Sequence, residues 1–388
     1  MSPGFTHYFT MPFLGTHIES IHLIICFTAI LAFVVQIYYY FFIFGKIAFG
    51  VKKRIKDLPN IPVPVSIVIA AKNEMERLEK NLPAFLNQKY DADFEVIVVN
   101  DCSSDETNTL LSGMSLQYPN LRSTFVQKED RFYTGNKLAL TVGLKAASYD
   151  QVIFSEPECV PSGPDWLSTL QKYFNSEESI LIGYSSYLRK KNSDNRKIRY
   201  EVFFNGLHYL GQAIRRKPYM AVHRNMAFRK QFFFGGKGFS TRTHLFFGED
   251  DLFIQDNANS KNTLVCLEPE GKTLAQTPPN KRLWKQYVKK YANARRYYKS
   301  TDKLFLLSEP LSRLMLYSTT LYSVIAFKLW WILLPLILLR IIIQAIVFKR
   351  ASRPLGEEGI VITGMLFDFL FIFRHLGESL ANYLPRTR

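Results

Sequence analysis

Val65-Ser66-Ile67-Val68-Ile69-Ala70-Ala71-Lys72-Asn73-Glu74 decides the fold. Residues 65–70 are an uncharged run rich in β-branched side chains, the pattern of a strand buried on both faces, and the polar Lys72-Asn73-Glu74 ends it. Leu78, Leu82, Phe85 and Leu86 then share one helical face. Working outward, residues 94–99 form a second apolar run, uncharged beyond Glu95, residues 135–147 read as a helix, 151–155 as a third strand and 180–184 as a fourth. Strands alternating with helices predict an α/β domain with a mostly parallel, Rossmann-like sheet covered on both faces. Ligands bind such sheets at the carboxyl ends of the strands.

The flanks are of another kind. Residues 23–45 hold no charge and are long enough for a membrane helix. Residues 1–22 contain no Lys or Arg, whereas Lys46, Lys52, Lys53, Arg54 and Lys56 follow the apolar run. That asymmetry predicts an extracytoplasmic N-terminus and a cytosolic chain from residue 46 onward. Residues 46–64 form a basic linker stiffened by Pro59, Pro62 and Pro64. A domain is expected over 65–300. Residues 281–303 carry nine Lys or Arg against one acid, with Trp284, Tyr287, Tyr291, Tyr297 and Tyr298 interleaved, as in a basic amphipathic segment resting on anionic lipid. Residues 312–348 are too long for one span and predict a hairpin turning near Lys328, with Arg340 inside its second arm and Lys349, Arg350 and Arg353 closing it on the cytosolic side. Residues 358–384 hold a shorter apolar stretch with Asp368, interfacial or membrane-spanning. The expected location is the plasma (inner) membrane, multi-pass.

The formal charge of +16 is carried largely beside these apolar segments, which fits a membrane partner and argues against nucleic acid. Cys26, Cys102, Cys159 and Cys266 are dispersed without metal-site or disulfide spacing, as in a reducing compartment. No GxGxxG follows the first strand, which counts against a nicotinamide-dependent oxidoreductase.

Three acidic constellations stand where a ligand would bind. Asn100-Asp101-Cys102-Ser103-Ser104-Asp105 ends the second strand, where a carboxylate can accept hydrogen bonds from a base or ribose; alone, it reads equally as a turn or helix cap. Glu156-Pro157-Glu158 ends the third strand, and carboxylates at i and i+2 project to one side of an extended chain, able to share a divalent cation or simply to face solvent. Gly248-Glu249-Asp250-Asp251 crowds three acids, which raises at least one pKa and suits a general base, although acids also favour a helix N-terminus.

In this order and spacing the three motifs resemble glycosyltransferase family 2, over about residues 60–300. Residues 65–74 look like that family's opening strand and turn, Val98-Val99-Asn100-Asp101 like its nucleotide-binding strand, and Gly135-Asn136-Lys137-Leu138-Ala139-Leu140 is similar to its Lys-x-x-Ala-Leu helix start with one residue fewer. Glu156-Pro157-Glu158 falls at the Asp-x-Asp metal motif, and Asn225-Met226-Ala227-Phe228 with Gly248-Glu249-Asp250-Asp251 at the acceptor and base region.

The resemblance implies a membrane-anchored, inverting enzyme of the GT-A nucleotide-diphospho-sugar transferase fold. In it Ala70, Glu74, Asp101, Lys137 and Glu156 bind the nucleotide sugar, and Glu158 with Glu156 holds Mg²⁺ or Mn²⁺. Asp250, beside Glu249, is the base, and Asn225, Asp251, Trp284, Gln286 and Lys289 lie on the acceptor and diphosphate side. The implied donor is a UDP-sugar and the acceptor a lipid-linked sugar or glycan. Trp284-Lys285-Gln286-Tyr287-Val288-Lys289-Lys290 is similar to the Gln-x-x-Arg-Trp motif of polysaccharide synthases but lacks its Arg-Trp, so both a synthase-like and a non-processive member are consistent. Glu in place of Asp in the metal motif leaves one alternative of another class, a catalytically impaired, membrane-held sugar-nucleotide-binding module.

Overall fold

In a computed structural model, the structure describes residues 8–10, 17–50, 61–127, 135–173, 180–236, 238–239, 245, 248–275, 284, 288, 294–326, 329–357, 359–381 and 383. Seven strands form the central sheet. In spatial order they are β9 (Thr263–Val265), β6 (Ile180–Ile182), β8 (Met226–Arg229), β4 (Gln151–Ser155), β1 (Val65–Ala71), β2 (Phe94–Asn100) and β3 (Leu121–Phe125). β4, β1, β2 and β3 run parallel. β8 enters antiparallel to both β4 and β6, so the sheet is mixed on that side and mostly parallel elsewhere.

Every residue of β1 is buried, and the two-residue period of the strand divides its side chains between two cores. Val65, Ile67, Ile69 and Ala71 pack with Leu78, Leu82 and Phe85 of helix α2 (Met75–Leu86). Val68 and Ala70 pack with Leu140 and Leu144 of α4 (Lys137–Ala146) on the other face. A Cβ on Gly143 of α4 would come within 2.4 Å of Val68 and 2.9 Å of Val99, so only glycine lets this helix lie so close to the sheet. Helix α3 (Thr107–Gln117) covers the β3 edge, and the short α5 (Trp166–Gln171) sets Trp166 against Phe85 of α2. The fourth strand stops at Ile182, short of the expected residue 184, because Ser185 opens a second small sheet in which β10 (Thr273–Ala275) lies between β5 (Cys159–Pro161) and β7 (Ser185–Tyr187).

Ser20–Phe49 and Trp330–Ser352 are long and apolar enough to cross a membrane. The first consists of α1 (Ser20–Tyr38), a π-helical stretch at Tyr39–Phe44 and one further α-turn; the second is α9 (Trp330–Ser352). Their apolar faces, with Ile24, Phe27 and Val34 on one and Leu338, Ile342 and Ile346 on the other, are left exposed by the rest of the chain. The π-helical stretch leaves the apolar stem and packs on helix α6 (Ser193–Ile214), where Phe44 meets Phe204 and His208.

The arm expected before Lys328 is α8 (Ser300–Ile325), which is far longer than the apolar run alone. Lys328 lies outside the described residues, but Leu329 at φ 56 marks the chain reversal. Arg340 is fully buried in α9, where its guanidinium reaches Asp368 at 2.7 Å and Gln36 at 3.1 Å. Asp368 belongs to α10 (Val361–Leu370), followed by α11 (Ile372–Leu380). Residues 51–60 of the expected linker and most of 281–293 lie outside the described residues.

Candidate active site

At the carboxyl end of β4, Glu156 lies close enough to the first turn of α7 (Glu249–Asn257) to feel the charges of Asp250 and Glu249. Beyond β2 the Asp101 amide donates to Ala71 O at 2.8 Å, and the two strand-end loops interlock: Ser104 N donates to Asn73 Oδ1 at 2.7 Å, Asn73 N to Ser103 Oγ at 2.9 Å. Asn73 and Cys102 adopt positive φ, 55° and 53°, which these tight strand-end reversals impose. Ala70, Glu74 and Asp101 are thus gathered at one end of the sheet. Burial raises the Glu74 pKa against the pull of Arg77, which donates to both its oxygens at 2.9 Å.

Glu156 and Glu158 follow β4, their turn pinned by Asn81 Nδ2 donating to Pro157 O at 2.8 Å. Both carboxylates face the guanidinium of Arg224: Nε lies 3.8 Å from Glu156 Oε2 and Nη1 3.4 Å from Glu158 Oε1. Arg77 Nη1 stands 3.9 Å from the other Glu158 oxygen. Among the described residues no group of three or more His, Cys, Asp and Glu side chains is arranged to hold a metal ion. A guanidinium already lies against both carboxylates of the expected Mg²⁺ or Mn²⁺ seat, and in that arrangement Glu156 and Glu158 do not fit a metal cation.

Asp250 is buried in the first turn of α7, and backbone amides cap both its oxygens, His223 N at 2.8 Å and Asp251 N at 2.9 Å. Gly248, at φ 91 with no room for a Cβ beside Ala294, sets the angle at which this turn begins. Glu249 lies 3.9 Å from Lys137 Nζ, which also donates to the Leu245 carbonyl. Asp251 Oδ2 accepts from the Tyr298 hydroxyl at 2.5 Å.

So many acids in so little water cannot all ionise at ordinary pH. Burial, then Asp250, pushes Glu249 up to about 7 against Lys137, and Asp251 rises well above the carboxylate range for the same two reasons. Burial lifts Glu156 to about 8; Arg224 opposes the shift while Glu158 and Asp250 add to it. Lys137 is lowered by burial despite Glu249 and Asp250.

The remaining sequence-named residues divide. Asn225 donates its amide protons to Tyr184 O at 2.9 Å and Gly271 O at 2.8 Å, which makes it a clamp between backbone segments rather than a group turned toward an acceptor. Trp284 Nε1 donates to Glu201, and Gln286 and Lys289 lie outside the described residues. A cavity of about 130 Å³ between α6, α8 and α11 joins Asp250 and Arg224 to Glu201, Trp284, Arg374 and Glu378.

Sequence reasoning missed Arg224 and Glu201, and placed Tyr298 only among the aromatics of the basic segment, not beside Asp251. The available signal for Arg224 was its place directly before a buried strand and the need of a Glu-x-Glu pair for a counter-charge. Glu201 and Tyr298 carried none, because their partners are remote in sequence.

Residues 66–239 match the family model Glycosyl transferase family 2. The chain is 28% identical over 142 residues to the glycosyltransferase AglE of Haloferax volcanii, covering 36% of this chain and 45% of that one. It is 31% identical over 164 residues to the poly-β-1,6-N-acetyl-D-glucosamine synthase of Staphylococcus aureus, covering 41% and 37%. The chain thus spans less than half the length of these curated relatives. The solved mannosyltransferase PcManGT of Pyrobaculum calidifontis, in complex with GDP-Man and Mn²⁺, superposes with a TM-score of 0.53 at 18% identity, over 90% of this chain and 98% of that one, and shares the fold. Residues 66–239 are thus similar to family 2 glycosyltransferase domains, and the chain carries a glycosyltransferase domain on the α/β GT-A fold.

Proposed function

We propose that the chain transfers a sugar, with inversion, from a nucleotide-diphosphate donor to a hydroxyl of a lipid-linked or glycan acceptor. The observation that carries this is Asp250, a buried carboxylate held by two backbone amides on the wall of a cavity at the strand ends. A carboxylate so fixed spends no freedom in reaching a substrate proton.

In this reading the nucleotide lies across the interlocked loops, with Asp101 and the backbone at Ala70 toward base and ribose. The acceptor enters the cavity toward Glu201 and Trp284, where carboxylate, guanidinium and indole groups suit sugar hydroxyls and ring faces. Asp250 takes the hydroxyl proton as the acceptor oxygen attacks the anomeric carbon from the side opposite the diphosphate. Preorganised hydrogen bonds at Asp250 hold the base in place through that step. A divalent cation between Glu156 and Glu158 would have to displace Arg224, and no step here passes through one.

The two apolar helices support membrane association. With Lys46 in the last turn of the first and Lys349 and Arg350 ending the second, the domain is read as lying at the cytosolic face, against an anionic leaflet. UDP-sugars are the first donors to try. Purified protein in detergent is screened against UDP-, GDP- and dTDP-sugars by thermal shift, since a ligand of the folded state alone raises the midpoint. The donor that stabilises is then assayed for transfer to lipid-phosphate and oligosaccharide acceptors, with the anomeric product read by NMR. A retained configuration would sink the single-displacement reading. Nucleotide binding with no turnover for any pair would favour a binding module instead.

A further inference from the structure

We infer that Arg224 is the fixed cation of this site: its guanidinium binds the donor's diphosphate and stabilises the departing nucleoside diphosphate, in the place a divalent metal would take. The inference rests on the sugar-transfer reading above and goes beyond it by naming the residue that receives the leaving group's charge.

The geometry carries it in three steps. First, Arg224 is almost wholly buried, 3% exposed, and lines the same cavity as Asp250, so its charge is held away from bulk water beside the proposed base. Second, it is built in. Its carbonyl accepts from Thr273 Oγ1 at 3.0 Å and Ser155 Oγ at 3.4 Å, its guanidinium lies 4.8 Å over the Tyr187 ring, and the next residue, Asn225, is clamped on both sides. Third, Glu156 and Glu158 aim it. Their oxygens stand 3.8 and 3.4 Å from its nitrogens, so the two acids orient a guanidinium.

Charge balance gives the arrangement a purpose. Glu156, Glu158, Glu249, Asp250 and Asp251 crowd the strand ends, where not all of them can ionise, and a diphosphate brings further negative charge. A planar guanidinium presents several donors in a fixed fork that matches phosphate oxygens and cannot lose its proton near neutral pH. During transfer the bond between the anomeric carbon and the β-phosphate oxygen breaks, and its electron pair stays on that oxygen. The acceptor oxygen forms the new bond to carbon, and its proton passes to Asp250. The charge left on the nucleoside diphosphate falls to Arg224. The glutamates in place of the family's aspartates then have a physical role, since their longer side chains reach a guanidinium anchored across the sheet on the turn before β8.

The test uses the full chain in detergent, with UDP and GDP as probes in calorimetry, once in EDTA and once with Mn²⁺. The proposal expects one nucleotide to bind equally well under both conditions. In EDTA, Arg224→Ala should bind it on the order of tenfold or more weakly, and Arg224→Lys, which keeps charge but loses the fork, should fall between. Mn²⁺ electron paramagnetic resonance should show no tight site in the wild type and one appearing in Arg224→Ala, where the two glutamates are released. Wild-type binding that requires Mn²⁺ would overturn this inference alone, and that measurement does not depend on any variant folding. Unchanged EDTA affinity in both variants would also overturn it. No heat with either nucleotide under either condition would remove both this inference and the sugar-transfer reading.

Discussion

The Asp250 carboxylate accepts a 2.8 Å hydrogen bond from the backbone amide of His223, the residue immediately before Arg224. Proposed base and proposed diphosphate ligand are therefore set by one short helical turn, His223–Asn225, and a shift of that turn moves both. Asp250→Asn separates the two roles. The amide keeps an acceptor oxygen for one backbone N–H, so the fold and donor binding should persist while proton removal is lost. Turnover is expected to fall by about 10²–10⁴-fold, the usual contribution of a positioned base, with nucleotide affinity changed by less than about twofold. Steady-state kinetics beside calorimetry measure this; turnover within tenfold of wild type removes Asp250 from the role of base.

Gly248 fixes how the turn bearing Asp250 begins. At φ 91 it occupies a region that side chains disfavour, and a Cβ there would stand 2.2 Å from that of Ala294. Gly248→Ala should cost about 1–3 kcal/mol from backbone strain, and more from the clash, since Ala294 belongs to the protein's buried interior. The readout is the thermal midpoint in detergent together with turnover. Both should drop, turnover the more steeply because Asp250 is two residues away. A variant with wild-type midpoint and rate would show that the first turn of α7 is not held by this glycine.

Much of this architecture was legible in local sequence, for reasons particular elements make clear. β1, β2 and β4 are continuous apolar runs because both faces of a central parallel strand are covered, and each ends in polar residues where the sheet opens to a ligand. β8 was not read as an antiparallel insertion, because Met226-Ala227-Phe228-Arg229 is four residues long and its direction is decided by pairing with strands some 45 and 75 residues earlier. The acids of the site could be found one motif at a time, whereas their pairing with counter-charges could not. Arg224, Arg77 and Lys137 meet Glu158, Glu156 and Glu249 only after the chain folds, and sequence spacing carries no record of those distances. The same holds for Arg340 and Asp368, each out of place in its own apolar segment and each explained by the other.

His208 predicts an acid sensitivity. It is buried in α6 among Phe44, Phe204 and Phe305, with Nδ1 2.9 Å from the Phe204 carbonyl. Burial lowers its pKa to about 3, the Phe204 carbonyl opposes the shift, and Arg313 and Arg295 add to it. The unfolded chain takes up a proton near the ordinary histidine value of about 6.5 while the folded chain refuses it. The stability His208 supports is thus fully present above about pH 6.5 and drains as pH falls toward 3, at up to about 1.4 kcal/mol per pH unit. Thermal midpoints taken from pH 7.5 down to 5 should decline, and His208→Phe should decline less, since it removes one of the groups that must stay neutral. Parallel curves for the two proteins would show that this histidine is not among the acid-labile groups.

Asp368 predicts how the apolar helices are held together. Its oxygens accept from Arg313 at 2.6 Å and from Arg340 at 2.7 Å, and Arg313 also reaches Glu309 at 3.2 Å, so two cations and two anions balance with no water between them. Gln36 of α1 extends the network by accepting from Arg340 and donating to Ser312 Oγ at 2.9 Å, which ties α1, α8, α9 and α10 into one unit. Ionisable groups in such apolar surroundings persist only when paired, and removing one partner leaves the other uncompensated. Asp368→Asn should therefore destabilise the chain by about 3–5 kcal/mol, because it leaves two buried guanidinium groups facing a single remaining carboxylate. Ile342→Ala on the same helix as Arg340 provides the control, since that side chain is 56% exposed on the apolar outer face and detergent replaces its contacts. Unfolding followed by circular dichroism in detergent compares the two. A midpoint for Asp368→Asn no lower than that of Ile342→Ala would mean that apolar packing, and not this ion network, joins the helices.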